Sequence, residues 1–465
     1  MNLKLDDARA SGSSWRRPWL TLGCLAMLQF LIAVDVTVVN VALPSIGEHF
    51  DVGTRGLTWV VVGYTITGGG LLMLGGRLGD LLGKRRVLLA GTSVFGAASL
   101  LAGLAPTFPL LVAARLFQGV GEALALPSAM AMIILAFPEG PRRTRALGVW
   151  AAVASTGLVL GFVLSGTITE LLGWRWIFLI AVPFIVLVMC AVLVLVPRDI
   201  PVARTSLDIP GSVLLTAAPL LFVLGVIEAG EENASPWLAS TALVGAVIAG
   251  VLFVVVERRA RNPLIPPAFF AVRGRVLANG ATALLSAALS TSFLLFTLYL
   301  QERAGLTPLE AGIALLPLAV TLVAAVTFVP RLIGTWGARS CAVIGIAATA
   351  LGMIAIAAAA NGGTSALATL PAMMLIAAGM GFGLVGLQYA AVTGVTEDDA
   401  GVASGVQRAA DQLGGSTGIT LYIGAGFSPA LSGMDPFVAS AALATAGLVA
   451  ACLLAARIGG RRVMN

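Results

Sequence analysis

The sequence is poor in charge. Asp, Glu, Lys and Arg supply 11% of its 465 residues, against about a quarter in an ordinary soluble domain, so a water-facing surface for a chain of this length cannot be built from it. Histidine occurs once, as His49, and no HExxH pattern exists; a zinc hydrolase needs more ligands than that. Cysteine occurs four times, at Cys24, Cys190, Cys341 and Cys452, each inside an apolar run and without metal-type spacing, which excludes a disulfide-framed secreted domain. No metal and no cofactor are expected. The net charge of +6 rests on arginine, yet the arginines form no stripe with interleaved aromatics, so nucleic acid is not an expected partner. A phosphate loop is also missing. Gly79-Asp80-Leu81-Leu82-Gly83-Lys84-Arg85 has the wrong glycine spacing, and Arg85 stands where Ser or Thr would bind magnesium, which excludes an ATP-driven pump.

Apolar length is abundant. Hydrophobic residues make up 58% of the chain and mean hydropathy is +0.98, so most side chains must face lipid or one another. A membrane-spanning helix needs about 20 mainly apolar residues. Fourteen such stretches lie between polar gaps, at roughly 19–45, 57–78, 87–105, 109–136, 146–171, 176–196, 209–227, 236–256, 276–300, 309–330, 340–360, 366–394, 402–427 and 435–456. The first follows Arg16 and Arg17 and so imitates a signal peptide. It is too long, contains Asp35 and lacks a small-residue cleavage site, and is kept as a helix. The fold class expected is an all-α polytopic membrane protein.

Basic residues give the orientation, because loops on the cytoplasmic side carry an excess of Lys and Arg. With both termini cytoplasmic, 23 of the 28 basic residues fall in inside gaps. Only Arg55, Arg175 and Arg303 fall in outside gaps, and Arg115 and Arg408 lie within helices. The acidic Glu397-Asp398-Asp399 loop is placed inside.

Two passages reveal an internal repeat. The gap at 77–85 aligns with that at 331–339, preserving Arg77-Leu78, Gly83 and Arg85 as Arg331-Leu332, Gly337 and Arg339. Gly119-Val120-Gly121 in the fourth span matches Gly379-Met380-Gly381 in the twelfth. The chain therefore divides into a six-helix bundle over 1–197, a two-helix insert over 198–262 and a second six-helix bundle over 263–465. Duplicated halves around a midplane cavity are the architecture of secondary transporters.

Ionisable groups inside a bilayer are costly and mark function by default. Five qualify: Asp35, Arg115, Glu122, Arg408 and Asp411. Asp35 on the first helix and Arg115 on the fourth reach similar depths and are expected to pair, either for coupling or only to fix packing. Arg408 and Asp411, at i,i+3, are expected to satisfy each other as an ion pair on the cytoplasmic side. Glu122 lies about 10 Å of helix rise from Arg115 and has no evident cation. An unpaired buried carboxylate relieves its cost by binding a proton, so Glu122 is either a proton or cationic-substrate site or a structural group hydrogen-bonded across helices.

At these residues the sequence resembles a known family. Asp35-Val36-Thr37-Val38-Val39-Asn40-Val41-Ala42-Leu43-Pro44 is similar to the first-helix signature of the fourteen-helix drug:proton antiporters of the major facilitator superfamily. The gap at 76–86 resembles the superfamily's loop motif, Arg115-Leu116-Phe117-Gln118-Gly119-Val120-Gly121 its fourth-helix motif, and Trp174-Arg175-Trp176-Ile177-Phe178 the start of its sixth helix. The resemblance implies a major facilitator fold, two six-helix bundles with two inserted helices. It implies that the fourth-helix Arg115 takes part in proton coupling and that the loop motif, with Asp80, Gly83, Lys84 and Arg85, biases the inward/outward equilibrium. Asp80 can face a helix N-terminus of the opposite half; Lys84 to Arg86 can equally be plain topology anchors. In three places the sequence departs from the pattern. Phe162 replaces the proline of the fifth-helix antiporter motif, Glu122 takes a normally small position, and Leu81 stands where the loop motif commonly carries Arg.

The expected cavity is otherwise apolar, with Asn40, Tyr64, Phe296, Tyr299, Phe382, Gln388 and Tyr389 as lining candidates, each also compatible with ordinary helix packing. The insert, with Glu228 its only intramembrane charge, is assigned no coupling role. The function expected is proton-coupled export of amphipathic small molecules by a monomer in the bacterial cytoplasmic membrane, with protons and lipids as its other partners. An exporter or flippase of one natural product or lipid is the alternative, and a polytopic membrane enzyme the rival from another class.

Overall fold

The computed structural model describes residues 17–138, 140–197, 208–230, 235–260, 263–265, 269, 271–361, 366–393, 400–428, 431 and 433–459. The 397–399 acidic loop, the basic 198–204 gap and the outermost residues of both termini lie outside the described residues.

Fourteen long helices stand among the described residues. They are α1 Pro18–Phe50, α2 Thr54–Leu82, α3 Lys84–Gly103, α4 Phe108–Ala136, α5 Pro141–Leu172, α6 Trp176–Leu195 and α7 Ile209–Gly230. There follow α8 Pro236–Arg259, α9 Arg273–Leu298, α10 Pro308–Trp336, α11 Ala338–Asn361, α12 Ala366–Val392, α13 Ala400–Gly426 and α14 Pro436–Ala456. Thirteen of these are long and apolar enough to cross a membrane. The remaining one, α13, has 27 residues and carries Gln407, Arg408, Asp411 and Gln412. It is long enough to span, but its polar side chains need partners on other helices.

Local chemistry sets many of the boundaries. Proline occupies the first turn of α1, α4, α5, α8, α10 and α14, where its missing N–H removes no helical bond. Thr307 and Glu310 form a reciprocal capping box at the start of α10, and Asp435 caps α14 through the amides of Phe437 and Val438. At the two repeated gaps the chain reverses through Gly83 (φ 103°) and Gly337 (φ 79°). Side chains rarely adopt such a backbone, which explains why both copies of the repeat keep glycine there. Two irregularities lie at the other end of the repeat: a π turn over Tyr299–Arg303 after α9 and a break at Leu315 within α10.

Packing follows the repeat. In the first half α3 lies on α4, α2 on α4 and α1 on α5; in the second, α11 lies on α12, α10 on α12 and α9 on α13. The halves meet along two seams that this correspondence exchanges, α2 against α13 and α5 against α10. The insert is a hairpin of α7 on α8, closed by Glu228 accepting the Ser235 amide at 3.0 Å. It lies on one seam only, with α7 against both α2 and α13.

The end carrying the α2–α3 loop, with Lys84, Arg85 and Arg86, is termed the basic end, and the opposite end the far end. Several bonds join the halves towards the far end. Gln301 donates to the Val41 carbonyl at 2.8 Å, the Leu309 amide donates to Glu170 at 3.1 Å, and Thr65 and Ser416 share a hydrogen bond of 2.5 Å. Phe162 belongs to this closure. It is 1% exposed, its ring centroid is 5.2 Å from that of Phe293 on α9, and its carbonyl lies against Gly312 of α10. The residue that replaces the motif proline is thus an inter-half contact on an unbroken α5.

Candidate functional site

Two adjoining charge clusters occupy the middle of the first half. In the first, Arg115 of α4 is 1% exposed and its Nη1 lies 2.6 Å from Asp35 Oδ2 of α1. The pair expected from helix depth is formed. Arg115 Nη1 also donates to Gln118 Oε1 at 2.9 Å, and Nε to the Val60 carbonyl at 2.8 Å. Gln118 Nε2 completes the ring by donating to Asp35 Oδ1 at 3.2 Å and to Ser99 Oγ at 2.9 Å. The guanidinium stacks over Tyr64 with its carbon 4.4 Å from the ring centroid. Buried ion pairs survive when further hydrogen bonds satisfy their remaining atoms, and here one carboxamide serves both charges. Sequence reasoning missed Gln118, although its i+3 position after Arg115 within the fourth-helix motif places it on the same face.

One turn beyond Gln118 stands Glu122, fully buried. Its expected isolation is corrected: Arg408 of α13 brings Nη2 to 3.9 Å from Glu122 Oε1, and Gln412, one turn along α13, donates from Nε2 to the same oxygen at 3.2 Å. Both partners come from the other half. Gln412 Oε1 has no hydrogen-bond partner among the described residues, and the Tyr64 hydroxyl faces the Glu122 carboxyl without a well-formed hydrogen bond to it. The cluster exists because Gly68, Gly69 and Gly70 of α2 lack side chains. A Cβ on Gly68 would lie 2.9 Å from Glu122 Oε2, one on Gly69 2.7 Å from Gln412 Cβ, and one on Gly70 would collide with Thr216 of α7. Successive glycines thus admit α4, α13 and the insert.

The expected Arg408–Asp411 pair is also corrected. No ion pair joins them; Asp411 Oδ1 accepts from Ser286 Oγ of α9 at 2.6 Å, while Arg408 turns to the buried carboxylate across the seam. The i,i+3 spacing permitted the local pair, but a fully buried carboxylate that would otherwise lack a cation attracts more strongly than one already holding a hydroxyl.

At the basic end Asp80 pairs with Lys84 on the next turn, and its side chain is 53% exposed. In this conformation the carboxylate therefore bonds locally and not to a helix of the opposite half. Its neighbour Arg77 reaches across instead, donating to the Pro263 carbonyl, and Arg85 donates to the Leu193 carbonyl of α6 at 2.7 Å.

The lining candidates do not share one cavity. Tyr64 belongs to the charge clusters. Asn40 is buried and donates to the Val36 carbonyl of its own helix at 3.0 Å. Phe296 and Tyr299 line a small apolar pocket within the second half, with Ile356, Met373 and Phe437. Phe382 lies 6.5 Å from Trp336 between ring centroids, while Gln388 and Tyr389 are exposed near the end of α12. Depth and azimuth along α9 and α12 separate side chains that composition alone grouped together.

The sequence profile described as Major Facilitator Superfamily matches residues 25–419. The chain belongs to the major facilitator superfamily. Among its relatives are the lincomycin resistance protein of Streptomyces lincolnensis, 53% identical with 94% of this chain and 91% of the relative covered, and the cephamycin export protein CmcT of Amycolatopsis lactamdurans, 38% identical with 89% and 86% covered. The puromycin resistance protein of Streptomyces alboniger is 34% identical, with 90% and 83% covered. In three dimensions the chain is similar to an auto-inhibited POT family peptide transporter, with a TM-score of 0.70 at 16% identity over 97% of this chain and 98% of that one. It is also similar to the xylose transporter XylE from E. coli in a partially occluded inward-open conformation, with a TM-score of 0.63 at 15% identity over 95% and 97%. This major facilitator superfamily member is accordingly a multi-pass membrane transporter of small molecules and not an enzyme.

Proposed function

We propose that the chain is a proton-driven exporter of antibiotic-like amphipathic molecules in a bacterial cytoplasmic membrane, working as a monomer by alternating access. Its relatives by sequence resist or export lincomycin, cephamycin and puromycin. The coupling reading is carried by one observation: a fully buried carboxylate, Glu122, lies in the seam between the halves one turn from the Asp35–Gln118–Arg115 ring. A carboxylate without enough donors is a proton acceptor by its own electrostatics, and in a seam between moving halves its access to either side changes with the transport state.

In this reading residues 1–197 and 263–465 are the rocking bodies, and the hairpin within 198–262 rides on the α2–α13 seam. The charge count supports a cytoplasmic basic end. With that orientation, the bonds at Gln301, Glu170 and Thr65 close the outer side, while the exposure of Asp80 and Arg408 at and towards the basic end supports an inward-facing state. Asp80, Gly83, Lys84 and Arg85 then act in the opposite state, when the basic end closes. Arginine and lysine at that end also sit well against anionic lipid headgroups.

Inverted membrane vesicles test the assignment. Lincomycin, puromycin and a cephamycin are offered outside vesicles with an acid lumen, with and without an uncoupler. Saturable accumulation of at least one of them that the uncoupler abolishes is expected. Accumulation of none, or accumulation indifferent to the uncoupler, contradicts the proposal.

A further inference from the structure

Arg408 is a half-exposed guanidinium on α13, and the carboxylate nearest to it belongs to the other half. At 3.9 Å from Glu122 Oε1 it is held by charge, beyond the reach of a good hydrogen bond. Three residues along its own helix stands a second carboxylate, Asp411, whose Oδ1 is engaged among the described residues only by the Ser286 hydroxyl. Arg408 therefore stands between one carboxylate of each half.

We propose that Arg408 is a latch between the halves, facing Glu122 while that carboxylate is ionised and turning to Asp411 when Glu122 takes up a proton. The inference rests on the reading of Glu122 as a proton site. Donor and acceptor chemistry separates the two partners of Glu122. Arg408 can only donate and is always charged, so a neutral carboxyl gives it little reason to stay. Gln412 carries an amide with both a donor and an acceptor end. Its Nε2 serves the ionised carboxylate, and its unpartnered Oε1 serves a protonated one after rotation of the amide. The Tyr64 hydroxyl can donate to the ionised carboxylate or accept from the protonated one, so it accommodates either state. Protonation thus preserves the glutamine contact and sheds the arginine, which loosens α13 from α4 without opening a void at the seam.

The charged and titratable groups facing Glu122 are few. Asp35 comes from α1, Tyr64 from α2 and Arg408 from α13. Helices α3, α5 and α7 carry their charges only in their terminal turns. Asp35 is already matched by Arg115, so the charge that responds to a proton on Glu122 is Arg408. Acid releases the latch and alkali engages it.

The test uses the full chain in lipid nanodiscs, with the four native cysteines replaced and spin labels at Leu135→Cys on α4 and Val392→Cys on α12, both exposed positions at the basic end. Wild-type inter-label distances are expected to shift between two populations as pH falls. Glu122→Gln should show the acid population at every pH, and Arg408→Gln likewise, whereas Arg408→Lys should keep the shift. Asp411→Asn should move the midpoint towards acid, because the released guanidinium then lacks its second partner. Wild-type shifts in both Glu122→Gln and Arg408→Gln, in samples that elute as single species, would overturn the latch. Proton-driven uptake measured in parallel separates the two readings. Uptake without any dependence of the distances on Glu122 or Arg408 overturns the latch alone; a Glu122-dependent distance shift without proton-driven uptake supports the latch and overturns proton-driven export.

Discussion

The buried charges in the interior of the first half are held by neutral amides as well as by their counter-charges. Gln118 bridges Asp35 and Arg115, and Gln412 binds Glu122 beside Arg408. Removing one partner from a buried ion pair leaves the other uncompensated, at about 3–5 kcal/mol, so Asp35→Asn is expected to lower the melting temperature in detergent sharply. Gln118→Ala leaves both charges in place and removes hydrogen bonds, for about 1–3 kcal/mol; a Gln118→Ala loss equal to that of Asp35→Asn would show that the amide is no secondary brace. The Asp35–Arg115 pair was legible because helix rise alone puts both residues at one depth. The partner of Glu122 was not, since it depends on how α13 is rotated against another half, and the i,i+3 spacing of Arg408 and Asp411 offers a local pair that hides the contact across the seam. Gln118 is legible from its i+3 spacing after Arg115, although a neutral amide carries no charge to mark it within an apolar helix.

Among the elements, the glycine run of α2 determines what can meet. Gly69→Val would force its side chain into Gln412, and Gly70→Val into Thr216 of the insert. Overpacking of this kind typically costs about 1–3 kcal/mol. Gly69→Val is expected to impair transport more than Gly70→Val, because it displaces a partner of Glu122, and comparing initial uptake rates at matched expression checks this order. Gly83→Ala at φ 103° is expected to cost about 1–3 kcal/mol and to loosen the α2–α3 turn, readable as faster proteolysis at that loop. Thirteen of the fourteen spans stand out by hydropathy to within several residues, α13 is legible by its length between polar gaps, and the paired glycines at 83 and 337 by the repeat. The π turn at Tyr299–Arg303 and the break at Leu315 are not legible, because neither interrupts the apolar run that carries them. The insert carries no midspan charge that would mark a role in coupling. Its place on the α2–α13 seam is a matter of packing, and small side chains such as Thr216 carry that without any signal in hydropathy.

For the whole molecule, the repeat in sequence becomes a correspondence between seams, α2 with α13 and α5 with α10, broken by an insert that covers only the first. The charges break the symmetry further. The paired buried charges of α1 and α4 have no counterpart in α9 and α12, so the second half contributes Arg408 and Gln412 to a site built in the first. Such a site responds to the relative position of the halves, which is what coupling requires. The most direct measurement is uptake of a transported antibiotic into inverted vesicles under an imposed acid-lumen gradient, for wild type and Glu122→Gln at equal membrane abundance. The wild type is predicted to accumulate the compound only while the gradient lasts, and Glu122→Gln to show no gradient-dependent accumulation. Gradient-driven accumulation in Glu122→Gln at the wild-type rate would contradict the assignment of this carboxylate as the coupling site.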